Sequence, residues 1–315
     1  MYKGDIVMER LYFIANLIAG KAVMGKKMGP IINEFVKAGF EVTVHTTQSA
    51  DDAVEKALYA CENNYDLLVA AGGDGTLSQC LQGVMSSDRR IPIGYIPAGS
   101  TNDFAKSLGI PSDQLKAAFF IACGEPALCD VGGFNDSYFS YVAAFGAFTS
   151  ITYETSQKVK NVFGHAAYIA DGAAQLSSIA KAKPLRIEYE DMTIEGEFIY
   201  GMITNTASVA GMINMKNFKL DDGVFEVTLI RKPKNPAELG KTALALLKMD
   251  TTDKNIVFFR TDALTITNLS DEPFSWTRDG EYGGEEKVNR LCCYKRAVPF
   301  MVCGKERLPL EKDIL

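Results

Sequence analysis

The sequence predicts an α/β protein in two parts, an N-terminal doubly wound α/β domain followed by a C-terminal β-rich sandwich domain. Three observations lead to this prediction. Strand-like and helix-like segments alternate over the first third of the chain, the order that gives a mostly parallel sheet covered by helices. Glycine-containing loops follow several of these strands. Beyond about residue 130, short strands separated by Gly, Asn and Asp replace the alternation.

The first part of the chain contains four predicted strands and three predicted helices. Short apolar runs indicate the strands, and the spacing of Met28, Ile31 and Phe35 is typical of a helix that buries one face. The predicted strands cover residues 10–16, 40–46, 67–71 and 91–96, and the predicted helices cover residues 27–38, 51–63 and 77–86. In such a sheet, a ligand lies beyond the carboxyl ends of the strands.

The second part is richer in strands than in helices. The predicted strands cover residues 134–152, 184–190, 193–204, 224–231, 256–259 and 263–268, and the predicted helices cover residues 164–178 and 236–247. We therefore expect a nucleotide-binding domain over residues 8–132 and an acceptor domain over residues 133–303. Residues 304–315 are expected to pack back on the first domain.

Composition excludes several classes of protein. The net charge of -6 argues against a nucleic-acid binder, which needs a basic surface. The seven cysteines form no C-x-x-C pair and are typical of reduced thiols in a cytosolic protein. The longest uncharged run, residues 137–153, is too short and too polar for a membrane span. We expect a cytoplasmic protein whose membrane contact is peripheral.

The loop Gly72 to Thr76 is the strongest candidate for a phosphate-binding site. It follows a buried strand and opens a helix, and its glycines allow the backbone N–H groups to approach an anion closely. Asp74 can reach a magnesium ion, and Thr76 adds a hydroxyl group. An ordinary glycine-rich turn is the alternative. The chain has no G-x-x-x-x-G-K-[ST] sequence and no H-R-D or D-F-G set, which excludes P-loop enzymes and protein kinases.

A second loop, residues 97–104, has a similar design. A strand ends, Gly99 turns the chain, and Ser100 and Asn102 precede a helix. The structural alternative is that Ser100 serves as a helix N-cap. Two such loops at one sheet edge favour a nucleotide site, because one loop can hold phosphates while the other faces the rest of the ligand.

These two loops together resemble the diacylglycerol kinase catalytic family, which includes sphingosine and ceramide kinases. The residues that carry the resemblance are 72–77 and 99–105. Residues 150–155, 219–225 and 279–284 are similar to soluble bacterial diacylglycerol kinases, in the same order along the chain. The resemblance implies a first domain like those of NAD kinases and diacylglycerol kinases, with ATP and Mg²⁺ bound between the two domains.

The resemblance implies a set of nucleotide contacts in the first domain. The family's N-P-x-x-G turn corresponds to residues 16–20, where Leu17 replaces the proline. The implied ATP-binding residues are Asn16, Gly20, Thr47, Gly72, Gly73, Asp74, Gly75, Thr76, Ser100 and Asn102.

The resemblance also implies two groups of residues around magnesium. The family's structural site corresponds to the Asp222 carboxylate with the backbone carbonyls of Lys219 and Val224. Asp130 matches an aspartate that joins a water-linked magnesium network in similar enzymes. The alternative for residues 220–223 is a hairpin turn, because Asp-Gly is a strong turn sequence. Both interpretations are compatible, since carbonyl and carboxylate oxygens suit a hard cation.

The turn Asp279-Gly280-Glu281 is the candidate for activation of the acceptor. A hydroxyl group must lose its proton as it attacks the γ-phosphorus, and a carboxylate within hydrogen-bond reach can accept that proton. The residues alone allow a polar β-turn equally well. The family assigns the base to this motif, so we expect Glu281 to be the proton acceptor, with Asp279 as helper or alternative base.

The predicted function is ATP-dependent phosphorylation of diacylglycerol to phosphatidic acid, with ATP as co-substrate and Mg²⁺ as cofactor. Sphingosine, ceramide, phosphatidylglycerol or a prenol are alternative acceptors. NAD kinases share the G-G-D-G-T loop, but residues 99–104 favour the lipid family. A non-catalytic nucleotide-binding sensor is the alternative from another class. We expect a lipid partner at the membrane surface, no nucleic acid, and, by analogy with the family, a homodimer.

Overall fold

The computed structural model describes residues 9–20, 24–146, 181–206, 208–209, 213–214, 219–248 and 250–304. These residues divide into two units: the chain up to Asp130 together with the chain from Arg296 onward, and Val131–Lys295. Arg296–Val302 thus belongs to the first unit, although the predicted boundary placed it in the β-rich domain. The motif at 150–155, the helix predicted at 164–178 and, apart from Gly304, the predicted contact of residues 304–315 lie outside the described residues.

The first unit contains a parallel sheet in the order β2-β1-β3-β4. Its strands are β1 (Glu9–Ala15), β2 (Phe40–Thr46), β3 (Leu67–Gly72) and β4 (Ile93–Pro97). Its helices are α1 (Met24–Lys37), α2 (Ala50–Glu62), α3 (Asp74–Met85), α4 (Asp103–Ser107) and α5 (Gln114–Ala122). All six residues of β3 are buried, which explains its continuous apolar sequence. The four predicted strands and three predicted helices are all present, and α4 is the helix expected after the loop 97–104, whereas α5 was not predicted.

The second unit consists mainly of antiparallel strands. They are β5 (Glu125–Phe134), β6 (Ser137–Phe139), β7 (Val142–Gly146), β8 (Lys183–Tyr189), β9 (Met192–Thr204), β10 (Ser208–Val209), β11 (Ile213–Asn214), β12 (Phe225–Arg231), β13 (Ile256–Thr261), β14 (Ala263–Asn268), β15 (Trp276–Arg278), β16 (Glu281–Tyr282) and β17 (Val288–Val302). The helix described in this unit is α6 (Pro236–Leu247), which was predicted with the same bounds. The core includes Phe139, Phe145, Phe198, Phe225 and Trp276. The predicted fold class, an α/β part followed by a strand-rich part, is confirmed.

Strand β17 is long because it takes part in both units. Its first residues pair with β14, antiparallel, from Val288 to Cys292. Near the end of β17, Phe300 pairs in parallel with Ile93 of β4. The ring centroid of Phe300 lies 5.0 Å from that of Phe104. The last part of β17 therefore completes the first sheet. None of the described helices is both long enough and apolar enough to cross a membrane.

Candidate active site

Three glycine loops of the first unit meet at the carboxyl edge of its sheet. A Cβ atom on Gly99 would lie 2.7 Å from the Cα atom of Gly73, which is closer than real side chains approach a backbone. A Cβ atom on Gly20 would overlap the Ala98 backbone and lie 3.5 Å from the Cα atom of Gly99. The loops after β1, β3 and β4 can approach each other this closely only because these positions lack side chains.

The loop after β3 presents the N-terminus of α3 at this edge. Gly73 occupies the N-cap position and has no side chain to satisfy the N–H groups of the first turn. Thr76 Oγ1 accepts a hydrogen bond from Asn16 Nδ2 at 3.3 Å, which joins this turn to the loop after β1. Asp74 and Gly75 lie between Gly73 and Thr76, so the predicted phosphate loop forms the first turn of α3.

Thr47 follows β2 at the same edge, where its N–H group donates to Ala15 O at 2.9 Å. The turn that carries Thr47 is held by Asp52, whose carboxylate lies 2.9 Å from His45 Nε2 and accepts from Gln48 N at 2.9 Å. These hydrogen bonds lower the pKa of Asp52, with the contact to His45 as the largest cause. The described contacts of His45 are therefore structural.

The loop after β4 is organised by Asn102. This residue has a left-handed backbone, with φ of 50°, and it is the N-cap of α4. Its side chain accepts from Gly99 N at 3.0 Å and donates to Gly99 O at 2.9 Å. Ser100 is exposed and does not cap the helix, so the structural alternative for Ser100 is wrong. The N-cap of α4 is therefore Asn102, two residues after the predicted cap Ser100. Asn102 suits this position because asparagine adopts the left-handed region more readily than most residues do.

Two residues of this site were not predicted from the sequence. The hydroxyl of Tyr95 lies 3.4 Å from Asp74 Oδ1 and 3.2 Å from Asn102 Oδ1, so it joins the two glycine loops. Asp103 N donates to Asp74 Oδ2 at 3.3 Å, and the buried Asp103 carboxylate pairs with Lys106 Nζ at 2.9 Å. Asp103 lies within the predicted loop 97–104, so the sequence carried a signal for it, whereas a tyrosine inside a strand resembles any core residue.

Asp130 lies on β5 and is fully buried. Its Oδ1 atom accepts a hydrogen bond from Arg296 N at 2.7 Å. The carboxylate thus fixes the point at which β17 returns to the first unit. The described contacts give it a structural role, and its predicted part in a magnesium network stays a prediction.

In the second unit, the predicted base lies on a tight hairpin. β15 and β16 are joined by Asp279 and Gly280, with φ of 48° and 86°, and two adjacent residues with positive φ are typical of a type I′ turn. The Glu281 side chain is exposed and has no hydrogen bond or ion pair with any other described residue. Its carboxylate is thus open to a ligand.

Asp279 has the opposite environment, because its side chain is 3 % exposed. Oδ2 accepts from Ser140 N at 2.7 Å and from Ser140 Oγ at 2.9 Å, and Oδ1 accepts from Tyr141 N at 3.0 Å and Val142 N at 3.2 Å. Burial raises the pKa of Asp279, and these hydrogen bonds oppose the rise. With both oxygens occupied, Asp279 anchors the turn, which favours Glu281 for the chemical step.

The predicted metal residues lie on another turn of the second unit. Asp222 Oδ1 accepts from Val224 N at 3.3 Å, and Oδ2 lies 2.5 Å from Arg260 Nη2. Arg260 also pairs with Glu226 at 3.1 Å, and burial raises the pKa of that carboxyl group. In the described part of the chain, the hydrogen bonds and ion pairs of Asp222 involve Val224 and Arg260 rather than the hairpin, and no cluster of three or more His, Cys, Asp or Glu could hold a metal. A cation here would therefore need backbone carbonyls such as those of Lys219 and Val224.

Comparison with known proteins identifies the family. Residues 10–133 match the model of the diacylglycerol kinase catalytic domain. A diacylglycerol kinase of Bacillus subtilis is 35% identical over 280 residues, covering 88% of this chain and 91% of that protein. A diacylglycerol kinase of Staphylococcus saprophyticus is 34% identical, covering 90% and 92%. The crystal structure of a Bacillus anthracis diacylglycerol kinase has the same fold, with a TM-score of 0.74 at 20% identity over 94% of this chain and 98% of that one. The chain therefore belongs to the diacylglycerol kinase family.

Proposed function

We propose that the chain is an ATP-dependent kinase that phosphorylates the hydroxyl group of diacylglycerol to give phosphatidic acid and ADP. The observation that carries this proposal is the close approach of Gly20, Gly73 and Gly99, which brings three loop backbones together at the N-terminus of α3. The names of the relatives supply the choice of diacylglycerol as acceptor.

The nucleotide is assigned to the edge of the first sheet. In this proposal, the N–H groups of Gly73, Asp74 and Gly75 at the start of α3 bind the phosphates, since the positive end of a helix favours an anion. The remaining contacts come from side chains and backbone of the neighbouring loops. They are Asn16, Gly20, Thr47, Gly72, Thr76, Ser100 and Asn102.

Glu281 is assigned as the general base. The acceptor hydroxyl oxygen forms a bond to the γ-phosphorus, the bond between that phosphorus and the β–γ bridging oxygen breaks, and ADP departs. The hydroxyl proton passes to the Glu281 carboxylate, which is exposed and unpaired among the described residues. Asp279 holds the turn through its hydrogen bonds to Ser140, Tyr141 and Val142 and does not itself accept the proton.

The donor set around Asp222 is compatible with magnesium. Its Oδ1 atom accepts only one long hydrogen bond, of 3.3 Å, so a lone pair remains although Arg260 pairs with Oδ2. Asp222 would bind the ion with the carbonyls of Lys219 and Val224, and Asp130 would join through water. Magnesium held with the nucleotide would supply positive charge beside the phosphates, and Asp74 at the start of α3 could reach it.

The lipid acceptor places the proposed reaction at a membrane surface, with the protein as a peripheral, cytoplasmic partner. The predicted homodimer rests on family analogy, and native mass spectrometry would test it. A nucleotide sensor without catalysis is disfavoured by Glu281, because an open carboxylate on a fixed turn has no evident structural task.

The proposal is tested by incubating the purified protein with radiolabelled ATP, magnesium and dioctanoylglycerol in mixed micelles. We expect labelled phosphatidic acid. Sphingosine, ceramide, phosphatidylglycerol and a prenol serve as competing acceptors in parallel reactions. Transfer to one of these instead of diacylglycerol would correct the acceptor, and no transfer to any of them would contradict the proposal.

A further inference from the structure

Arg278 has a guanidinium group that donates to no acceptor within the described ranges. Its Nε atom is enclosed by protein and has no hydrogen-bond partner. The residue ends β15 and is directly paired with Glu281 of β16. Directly paired residues of an antiparallel hairpin project from the same face, so Arg278 lies beside the proposed base.

The charge of Arg278 is only partly offset by its neighbours, because Asp279 and Glu286 attract the guanidinium without accepting a hydrogen bond from it. The adjacent Asp279 carboxylate is already occupied by Ser140, Tyr141 and Val142. The guanidinium Cζ atom lies 6.0 Å from the ring centroid of Phe134, which is a weak contact. Burial lowers the pKa of Arg278, because the charged form is poorly solvated.

Other arginines of the same unit differ in this respect. Arg231 lies over the ring of Phe198, 5.1 Å from its centroid, yet it also donates to Glu195 O at 3.3 Å. Arg260 pairs with both Asp222 and Glu226. A partly buried guanidinium without an acceptor is costly, so a residue that keeps its donors open is suited to bind an anion.

We propose that Arg278 binds the phosphate group on the acceptor side of the reaction, as a phosphate monoester dianion next to Glu281. The planar guanidinium can donate two parallel hydrogen bonds to phosphate oxygens, a geometry that lysine cannot reproduce. The ligand is the headgroup of phosphatidic acid, and inorganic phosphate offers the same chemistry. This inference rests on the proposed lipid kinase function.

The chain carries its own probe for this site. Trp276 is the single tryptophan, it is buried two residues before Arg278, and its ring centroid lies 5.0 Å from that of Phe134. Because Arg278 and Trp276 contact the same phenylalanine, a ligand on the guanidinium should change tryptophan emission. The full chain is titrated with dioctanoyl phosphatidate, dioctanoylglycerol or inorganic phosphate while this emission is recorded.

We expect phosphatidate to bind more tightly than dioctanoylglycerol. The Arg278→Gln variant should lose about ten- to a hundredfold in phosphatidate affinity, with little change for the neutral lipid. Product inhibition by phosphatidate in the kinase assay should weaken in parallel. Arg278→Lys should show a smaller loss, and it replaces the glutamine variant if that variant does not fold. If inorganic phosphate competes with phosphatidate, free phosphate alone is enough to occupy the site. If it does not compete, the site needs a phosphate that is carried by the lipid.

Arg231→Gln is the matched control, because it removes another arginine that lies over a core phenylalanine. Unchanged phosphatidate affinity in the Arg278 variants, or an equal loss in Arg231→Gln, would overturn the inference. The kinase assay on the same preparations separates this from the proposed function. Phosphatidate binding without lipid phosphorylation would contradict the kinase proposal alone. Lipid phosphorylation together with unchanged phosphatidate affinity in the Arg278 variants would contradict the phosphate site alone.

Discussion

The glycine loops of the first unit and the hairpin of the second unit are built by different means. The loops pack main chain against main chain, and their shape depends on the absence of side chains at Gly73 and Gly99. The hairpin depends on one buried side chain, Asp279, which fixes a turn and leaves Glu281 exposed. A main-chain site is damaged by adding atoms, whereas a side-chain site is damaged by changing one functional group.

The largest effect is expected from the base itself. Glu281→Gln keeps the shape of the side chain but removes its ability to accept a proton, so kcat should fall about 10²- to 10⁴-fold with little change in ATP affinity. Radiometric lipid assays and ATP binding by calorimetry measure the two quantities. Glu188→Gln, at an exposed glutamate on β8, is the control. A glutamine variant with near wild-type kcat would remove Glu281 from the reaction.

Asp279→Asn should act mainly on stability. The amide group must direct N–H donors toward groups that are themselves donors, so the free energy of unfolding should fall by about 3 kcal/mol. Urea denaturation measures this change. Asp191→Asn, at an exposed turn of the same unit, should be neutral. If Asp279→Asn kept its free energy of unfolding and its kcat fell further than that of Glu281→Gln, Asp279 would be the base.

Gly99→Ala tests the main-chain site by adding one carbon. The new Cβ atom would lie 2.7 Å from Gly73 Cα, and two backbones cannot separate without opening the loop. We expect ATP affinity to fall on the order of tenfold, because a clash of this kind typically costs 1–3 kcal/mol. Gly29→Ala in α1 is the control, since its Cβ atom meets nothing within 4 Å. Equal ATP affinity in the two variants would mean that the loops need not stay in contact.

Tyr95→Phe should give the smallest effect. The ring remains buried while the hydroxyl near Asp74 and Asn102 is lost, so the KM for ATP should rise about fivefold with kcat nearly constant. Tyr65→Phe removes a similar hydroxyl, which donates to Thr43 Oγ1 at 3.1 Å away from the site. Both variants should lose some stability. Equal KM values for ATP in the Tyr95→Phe and Tyr65→Phe variants would refute the role of Tyr95 in joining the loops.

The sequence was most informative where local chemistry decides structure. Glycine is needed at Gly73 and Gly99 for reasons that are visible in the motif, and α6 begins at Pro236 after the Asn235 cap. The partners of Asp279 could not be foreseen, because Ser140 lies 139 residues away along the chain. Tyr95 was missed for the same reason, since burial and direction of a side chain are set by tertiary packing. The pairing of Asp222 with Arg260 also could not be foreseen, because Arg260 lies 38 residues away along the chain.

The return of β17 to the first unit has a consequence for how that unit can form during synthesis. Phe300 pairs with Ile93, and Ala297 O accepts from Arg90 Nη1 at 3.1 Å, so the first sheet lacks its closing strand until the ribosome has made about two hundred further residues. A fragment that ends before Arg296 should therefore expose the edge of β4 and the Phe104 side chain. The nucleotide-binding half is complete only after the other half has emerged.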